Sequence, residues 1–349
     1  MTEKIKVVFY NSFNIGDVFF SQPFIKNIIE NNKNFDYYLW VKFGYFAFSD
    51  FPNLKNINNN PNLLNFLKFR VTDENSIKYK NHIFLKHNNI LLINTWIGSM
   101  HHKWNKTDGI IDTFKDYLTE CDLISYLNCY KVILDAILND YKIKIHYNYD
   151  AELSYPVFPK NINIEKFLYF KKENEIKNKK LVFLNNYNPM SCQTIPIETI
   201  NCYISIIDFI VGKNYIVILA EDDVDIVNYK NEKNINDVYF CSNFVDNSLN
   251  DFNSSSFLFY ASKICVNCDY SLYFDTGRNF LYFNIDFIND FKNNTKNNTK
   301  NNKKIHFSTQ EYTCYFKSLN NDKVVPNNYS TQYITNNVNS VIDNLNNIL

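Results

Sequence analysis

Residues 4–29 read KIKVVFYNSFNIGDVFFSQPFIKNII. Lys4–Tyr10 is short, β-branched and aromatic, the composition of a buried strand. The turn residues NSFNIGD follow, with the first glycine of the chain. From Asp17 to about Asn31 the apolar residues Val18, Phe19, Phe20, Phe24, Ile25, Ile28 and Ile29 recur at helical spacing. Pro23 lies too deep for a first-turn proline if Asp17 caps this helix, which predicts an irregular first turn. Strand, tight turn and helix in that order open a parallel α/β sheet.

The alternation continues outward from there. Tyr37–Phe43 and Ile90–Trp96 read as strands, and about Thr113 to Asp140 as a long helix. Between Tyr155 and Lys180 the pattern loosens into the charged run KKENEIKNKK, which reads as a solvated linker. Strand Leu181–Leu184, helix Ile197–Val211 and strands Tyr215–Ala220 and Asp237–Cys241 restart it. A short helix at Ser254–Ser262, a strand at Ile264–Asn267 and a helix from Asp269 or Tyr270 complete the second series. The expected organisation is a Rossmann-like lobe at 1–165, a linker at 166–180 and a second lobe at 181–330. A last helix at 331–349 is expected to return to the first lobe. KNNTKNNTKNNKK at 292–304 is a low-complexity insertion read as a surface loop.

Composition narrows the function. The chain has 349 residues, an apolar fraction of 46% and zero formal net charge. That length suits two lobes, and the neutral balance argues against sequence-independent nucleic-acid binding. No apolar run approaches the roughly 20 residues of a membrane span, and the start lacks the order of a signal peptide. Eight cysteines over this length make no disulfide framework, so the expectation is a cytoplasmic protein with reduced thiols. Asparagine supplies about a sixth of the residues and glycine only six of them. Since Lys, Asn, Ile, Phe and Tyr have A/T-rich codons, surface Asn and Lys are discounted as composition. Aromatics at 17% read as core and cleft lining in the absence of a basic groove.

Several residues are candidates for chemistry. Gly16 permits a tight turn with backbone close to a ligand. Asp17 then stands at a helix N-terminus on the carboxyl edge of a parallel sheet, where doubly wound folds place their sites; the plainer reading is an N-cap. Glu221, in YIVILAEDDVD, stands at a strand's carboxyl end, or it belongs to an acidic first helical turn. His101 and His102 follow strand ILLINTW and the loop GSM; adjacent histidines do not easily chelate one metal, and no third ligand stands at a sensible spacing. Cys265-x-x-Cys268 has no second pair and reads as core rather than zinc or redox chemistry. A single glycine in NSFNIGD excludes the dinucleotide fingerprint of a nicotinamide oxidoreductase.

The opening NIGDVFFSQPFIKNI resembles that of heptosyltransferase-type glycosyltransferases, family 9, which have the GT-B fold. Gly16, Asp17, Ser21, Pro23 and Lys26 stand at matching positions. The resemblance implies two Rossmann-like doubly wound lobes facing across a cleft, and transfer from a nucleotide-diphosphate sugar to a sugar or glycan hydroxyl. It implies inversion without a metal or cofactor, with Asp17 as the general base, the second lobe holding the donor with Glu221 on its ribose hydroxyls, and His101 and His102 on the acceptor side. In that family a D-[S/T]-G-x-x-H turn follows a late strand. Asp269 and Ser271 fit the expected topology; Asp275, Thr276 and Gly277 have the right letters but come about two helical turns late. The loop NNYNPMSCQTIP departs from the family: the position of its diphosphate-binding cation is near Gln193, and the histidine of the later turn is replaced by Phe274. Ser191, Thr194 and backbone amides, or a distant cation such as Arg278, then have to meet the diphosphate. These departures keep a second expectation open, a catalytically degenerate GT-B-like protein that binds a glycan or a protein partner.

Overall fold

In a computed structural model the described residues are 4–11, 18–19, 21–42, 44–68, 84–95, 123–148, 162–186, 200–245, 254–274, 303–308, 329–333 and 338–349. The chain divides into two compact units with the boundary between residues 159 and 160.

The first unit is built on β1 (Lys6–Asn11), β2 (Asp36–Val41), β3 (Leu54–Asn56), β4 (Phe84–His87) and β5 (Ile90–Asn94). Their spatial order is β3-β2-β1-β5-β4, parallel except for β4, which forms a hairpin with β5. Its helices are α1 (Gln22–Asn31), α2 (Pro61–Leu67) and α3 (Leu123–Tyr141). β1 is buried from Val7 to Asn11, as a central parallel strand covered on both faces should be. Phe9 meets Phe24 of α1 edge-on at 6.2 Å, and Phe24 stacks on Tyr130 of α3 at 3.8 Å. Much of the aromatic surplus therefore sits in the core.

Helix α1 starts later than its periodicity suggests. Val18 and Phe19 are helical, and Ser21 closes that turn by donating its backbone N–H (3.2 Å) and its hydroxyl (2.7 Å) to the Val18 carbonyl. The N-cap of α1 is Ser21, not Asp17, so Pro23 falls in the first turn, where its missing N–H costs nothing. The polar residues of α1 also hold tertiary structure. Asn27 exchanges two hydrogen bonds of 3.0 Å with the backbone of Asn148, and Asn32 exchanges two of 2.7 and 2.8 Å with that of His146.

The second unit has β6 (Leu181–Leu184), β7 (Ile216–Leu219), β8 (Val238–Phe240), β9 (Tyr270–Phe274), β10 (Lys303–Ser308) and β11 (Tyr329–Tyr333). All pairs are parallel, in the order β11-β10-β9-β6-β7-β8. Counted within the unit this is 6-5-4-1-2-3, the doubly wound order whose direction reverses between its first and fourth strands. Helices α4 (Glu165–Ile176), α5 (Ile200–Gly212), α6 (Val224–Glu232), α7 (Ser254–Cys265) and α8 (Val338–Ile348) complete it.

Three expectations are corrected here. The run read as a linker at 166–180 is mostly α4, whose buried face is Phe167, Lys171 and Asn174. The Lys171 ammonium donates to the Asn267 carbonyl at 2.6 Å, so a charged residue occupies a position where an apolar one would have signalled a helix. The last helix does not begin at 331: residues 329–333 pair as β11, and α8 starts at Val338. Nor does α8 belong to the first unit, because Val341 and Leu345 are buried in one cluster with Tyr203, Ile206 and Ile210 of α5. Third, Ile264 and Cys265 end α7, residues 266–269 turn, and the strand is Tyr270–Phe274.

Asparagine has a structural task in these helices. Asn178, Asn214 and Asn234 have φ of 56°, 65° and 53°, two residues past the ends of α4, α5 and α6. After each, the next N–H reaches back five residues to a helix carbonyl: Lys179 to Asn174, Tyr215 to Ile210, Ile235 to Lys230. This is the Schellman closure, whose left-handed residue is most often glycine and next asparagine. With few glycines, the chain uses its asparagines there. Asn214→Gly is expected to leave the thermal midpoint level or higher. Asn214→Val, whose branched Cβ resists positive φ, should cost about 1–2 kcal/mol or roughly 2–4 °C per kcal/mol, read by calorimetry.

Candidate functional site

In doubly wound sheets ligands bind outside the carboxyl ends of the strands, where the strand order reverses. In the second unit that point lies between β6 and β9. Pairing runs one residue past β6, with Asn185 N–H donating to the Leu272 carbonyl at 3.1 Å. The Asn186 side chain then takes the place of a further strand residue: its Nδ2 donates to the Glu221 carbonyl and its Oδ1 accepts from Glu221 N–H, both at 2.9 Å. Asn186 is buried and Glu221 partly exposed, so a buried amide fixes the backbone of a carboxylate at the carboxyl end of β7.

The neighbouring acids have other work. Asp223 is the N-cap of α6, accepting from Asp225 N–H at 2.9 Å and Ile226 N–H at 3.3 Å. Asp222 accepts from the Ser242 hydroxyl at 2.7 Å. Glu221 therefore precedes the cap and is no part of the acidic first turn. Its position suits ribose hydroxyls, which an acidic side chain beside the phosphate-binding turn holds in such folds.

The strand assignment reverses the preference between the two D-[S/T]-G alignments. Asp269 precedes β9 and stands at the amino edge of the sheet, opposite to the ligand edge. Its carboxylate accepts from Leu181 N–H at 2.8 Å, and its own N–H donates to the Leu181 carbonyl at 2.9 Å. Ser271 lies within β9, fully buried, and its hydroxyl donates to the Cys265 carbonyl at 3.1 Å. Both are therefore structural, since neither is at the carboxyl edge. Phe274, which the alignment from Asp269 sets against the family's histidine, is a core residue stacked on Phe307 at 5.6 Å. Asp275, Thr276, Gly277 and Arg278 follow Phe274 in the chain and lie outside the described residues.

The first unit has an equivalent point between β1 and β5. Asn11 and Thr95, both buried, end these strands. Thr95 N–H donates to the Tyr10 carbonyl at 2.9 Å, Asn11 Nδ2 to Thr95 Oγ1 at 3.5 Å, and the Tyr130 hydroxyl to the Thr95 carbonyl at 3.1 Å. Gly16 and Asp17 fall outside the described residues, as do His101, His102, Ser191, Gln193 and Thr194. Asp17 is nonetheless adjacent in the chain to Val18, which is fully buried at the start of the Ser21 turn.

Among the described residues no group of three or more His, Cys, Asp or Glu is placed to hold a metal, and no helix is long and apolar enough to cross a membrane. Cys265 and Cys268 are buried at the end of α7 and in the following turn, not in a strand; Cys268 Sγ donates to the Ile264 carbonyl at 3.5 Å. Burial pushes the Cys268 and Cys241 thiols up, each further raised by Cys265, which leaves them as unreactive core groups. The contacts that sequence reasoning missed are the Asn186 clasp and the Asn11–Thr95 pair. Asparagines after strands are common turn residues, and nothing in their spacing announces a partner 35 or 84 positions away.

No family model and no curated protein matches the chain. Solved structures do. The glycosyl transferase family 9 protein of Veillonella parvula DSM 2008 is 11% identical, covering 99% of this chain and 92% of its own, with a TM-score of 0.46. The E. coli ADP-heptose LPS heptosyltransferase II is 11% identical over 99% and 98%, with a TM-score of 0.47. E. coli heptosyltransferase WaaC, solved with ADP-2-deoxy-2-fluoro heptose, is 8% identical over 99% and 98%, with a TM-score of 0.44. All three are glycosyl or heptosyl transferases.

Proposed function

We propose that the protein is a GT-B-type glycosyltransferase that moves a sugar from a nucleotide-diphosphate sugar to a sugar or glycan hydroxyl, with inversion and without a metal. The observation that carries this reading is Glu221, fixed by Asn186 beside the reversal point of a doubly wound parallel sheet. There it takes the donor ribose. The turn after β9, Asp275-Thr276-Gly277, takes the diphosphate with its backbone amides. Arg278, directly behind that turn, supplies the cation that the loop around Gln193 lacks, while Ser191 and Thr194 add neutral donors. In the first unit Asp17 removes the proton from the acceptor hydroxyl, and His101 and His102 line the acceptor side.

A thermal-shift screen against nucleoside diphosphates and nucleotide sugars tests this. A ligand that binds only the folded chain, present at a hundred times its Kd, adds about 2.7 kcal/mol to stability, which is several degrees at this size. One nucleotide series should give that shift. Glu221→Gln should weaken its binding about ten-fold, the loss of one charge-assisted hydrogen bond of about 1.5 kcal/mol, without lowering the midpoint of the unliganded chain. If no compound shifts the folded protein, the partner-binding alternative replaces this one.

A further inference from the structure

Helix α4 has a second face with a pattern of its own. Phe167, Lys171 and Asn174 are its buried residues, and the opposite side of the helix is exposed. That side carries Leu168, Tyr169 and Ile176, which are 42%, 66% and 77% exposed. They are three of the five exposed large apolar side chains among the described residues. Single exposed apolar residues are ordinary, but three on one short helix make a patch. Tyr169 and Ile176 are seven residues apart, close to two full turns, so they lie on one line along the helix. Exposed charges flank that line. Glu165 and Lys172 follow one side of it, and Lys166 and Glu173 follow the other, each pair again seven residues apart. One side reads acid then base, the other base then acid.

We propose that this face docks a second copy of the chain, α4 against α4, antiparallel about a two-fold axis near Tyr169. In such a pair each side of the helix meets the same side of its partner in reverse order. Glu165 of one copy then stands opposite Lys172 of the other, and Lys166 opposite Glu173, each twice by symmetry. Four opposite-charge pairs flank an apolar seam centred on Tyr169, and the two helix dipoles oppose. A partner of one charge sign would leave half of these groups facing their like, so the face fits itself better than an acidic or a basic surface. Pairs at a rim select partner and orientation more than they add affinity. A helix about 18 Å long covers less than a standard interface, so the dimer is weak, with a dissociation constant of roughly 1 µM or above. The pairing is independent of the donor site.

The test is analytical ultracentrifugation of the full chain at rising concentration, up to about 0.5 mM, well above the constant expected of so small a face. Wild type should pass from monomer to dimer. Glu165→Lys with Glu173→Lys makes all four flanking groups basic, and Lys166→Glu with Lys172→Glu makes all four acidic. Each double variant should fold, since these side chains are exposed, and should stay monomeric. Mixed in equal amounts, the two should dimerise at least as tightly as wild type, because every facing pair is again opposite; a folding defect cannot produce that rescue. Tyr169→Ala should weaken the dimer at least about ten-fold, as loss of a central aromatic anchor does, with an unchanged thermal midpoint, and it decides the matter if a charge variant does not fold. A wild type that is monomeric throughout would overturn the proposal. So would charge variants or Tyr169→Ala that dimerise like wild type, or a mixture that stays monomeric.

Discussion

Asp17→Asn is expected to lower glycosyl transfer by about 10²–10⁴-fold, the range for losing a positioned general base, with donor affinity within two-fold of wild type. The carboxamide keeps the size and polarity of the side chain but cannot take up the acceptor proton. Ser21, not Asp17, caps α1, and Val18, the residue that follows Asp17 in the chain, is fully buried. Initial rates with the nucleotide sugar found by the screen, together with titration of the same nucleotide, separate the two roles. Near-normal turnover in the variant would exclude Asp17 as the base. A parallel loss of donor affinity would make it a binding residue instead.

How much of this was legible in the residues depends on what each stretch had to signal. Parallel strands covered on both faces are runs of β-branched and aromatic residues, so β1, β5, β6 and β7 could be read within a residue or two of their ends. The failure at SKICVNCDYSLYF has a physical source. ICV and YSLYF are both short apolar runs, and periodicity alone does not separate a helix end from a strand of that length. Ile264 and Cys265 are buried as the last turn of α7, and the strand starts five residues after Cys265. Because the donor turn was located relative to that strand, the error carried into the site and put Asp269 ahead of Asp275. Helix α4 was missed for a different reason: Lys171 and Asn174 hold its buried face through hydrogen bonds to the Asn267 and Phe170 carbonyls, and polar residues used this way carry no apolar period. The asparagines were discounted as composition, yet Asn178, Asn214 and Asn234 close helices, and Asn27, Asn32 and Asn186 clasp distant backbone. Codon bias and structural use are compatible, since the chain places the residue it has in abundance where left-handed backbone or a peptide-like side chain is needed.

The corrected strand has a consequence for the charge of the donor site. A diphosphate leaving group needs positive charge or oriented donors, and removing one such partner typically costs about 10²-fold or more in turnover. With Gln193 where a cation was expected, the deficit must be met elsewhere. Arg278 comes nine residues after Asp269 but only four after Phe274, where β9 ends. A guanidinium also matches phosphate with two parallel N–H donors, so lysine is no equivalent there. Arg278→Ala is therefore expected to weaken diphosphate binding and lower transfer by about 10²-fold, without a change in thermal midpoint. Introducing Gln193→Lys into that variant should recover part of the loss by restoring a cation at the family's own position. Asp269→Ala should behave in the opposite way. Leu181 N–H would lose its carboxylate partner, costing about 1–3 kcal/mol, or roughly 2–4 °C for each kcal/mol, and the folded protein would bind nucleotide as before. Calorimetry and titration on the three variants decide between the two turns. If Asp269→Ala loses nucleotide while staying folded and Arg278→Ala does not, the donor lies at the other edge of the sheet and the assignment of Glu221 falls with it.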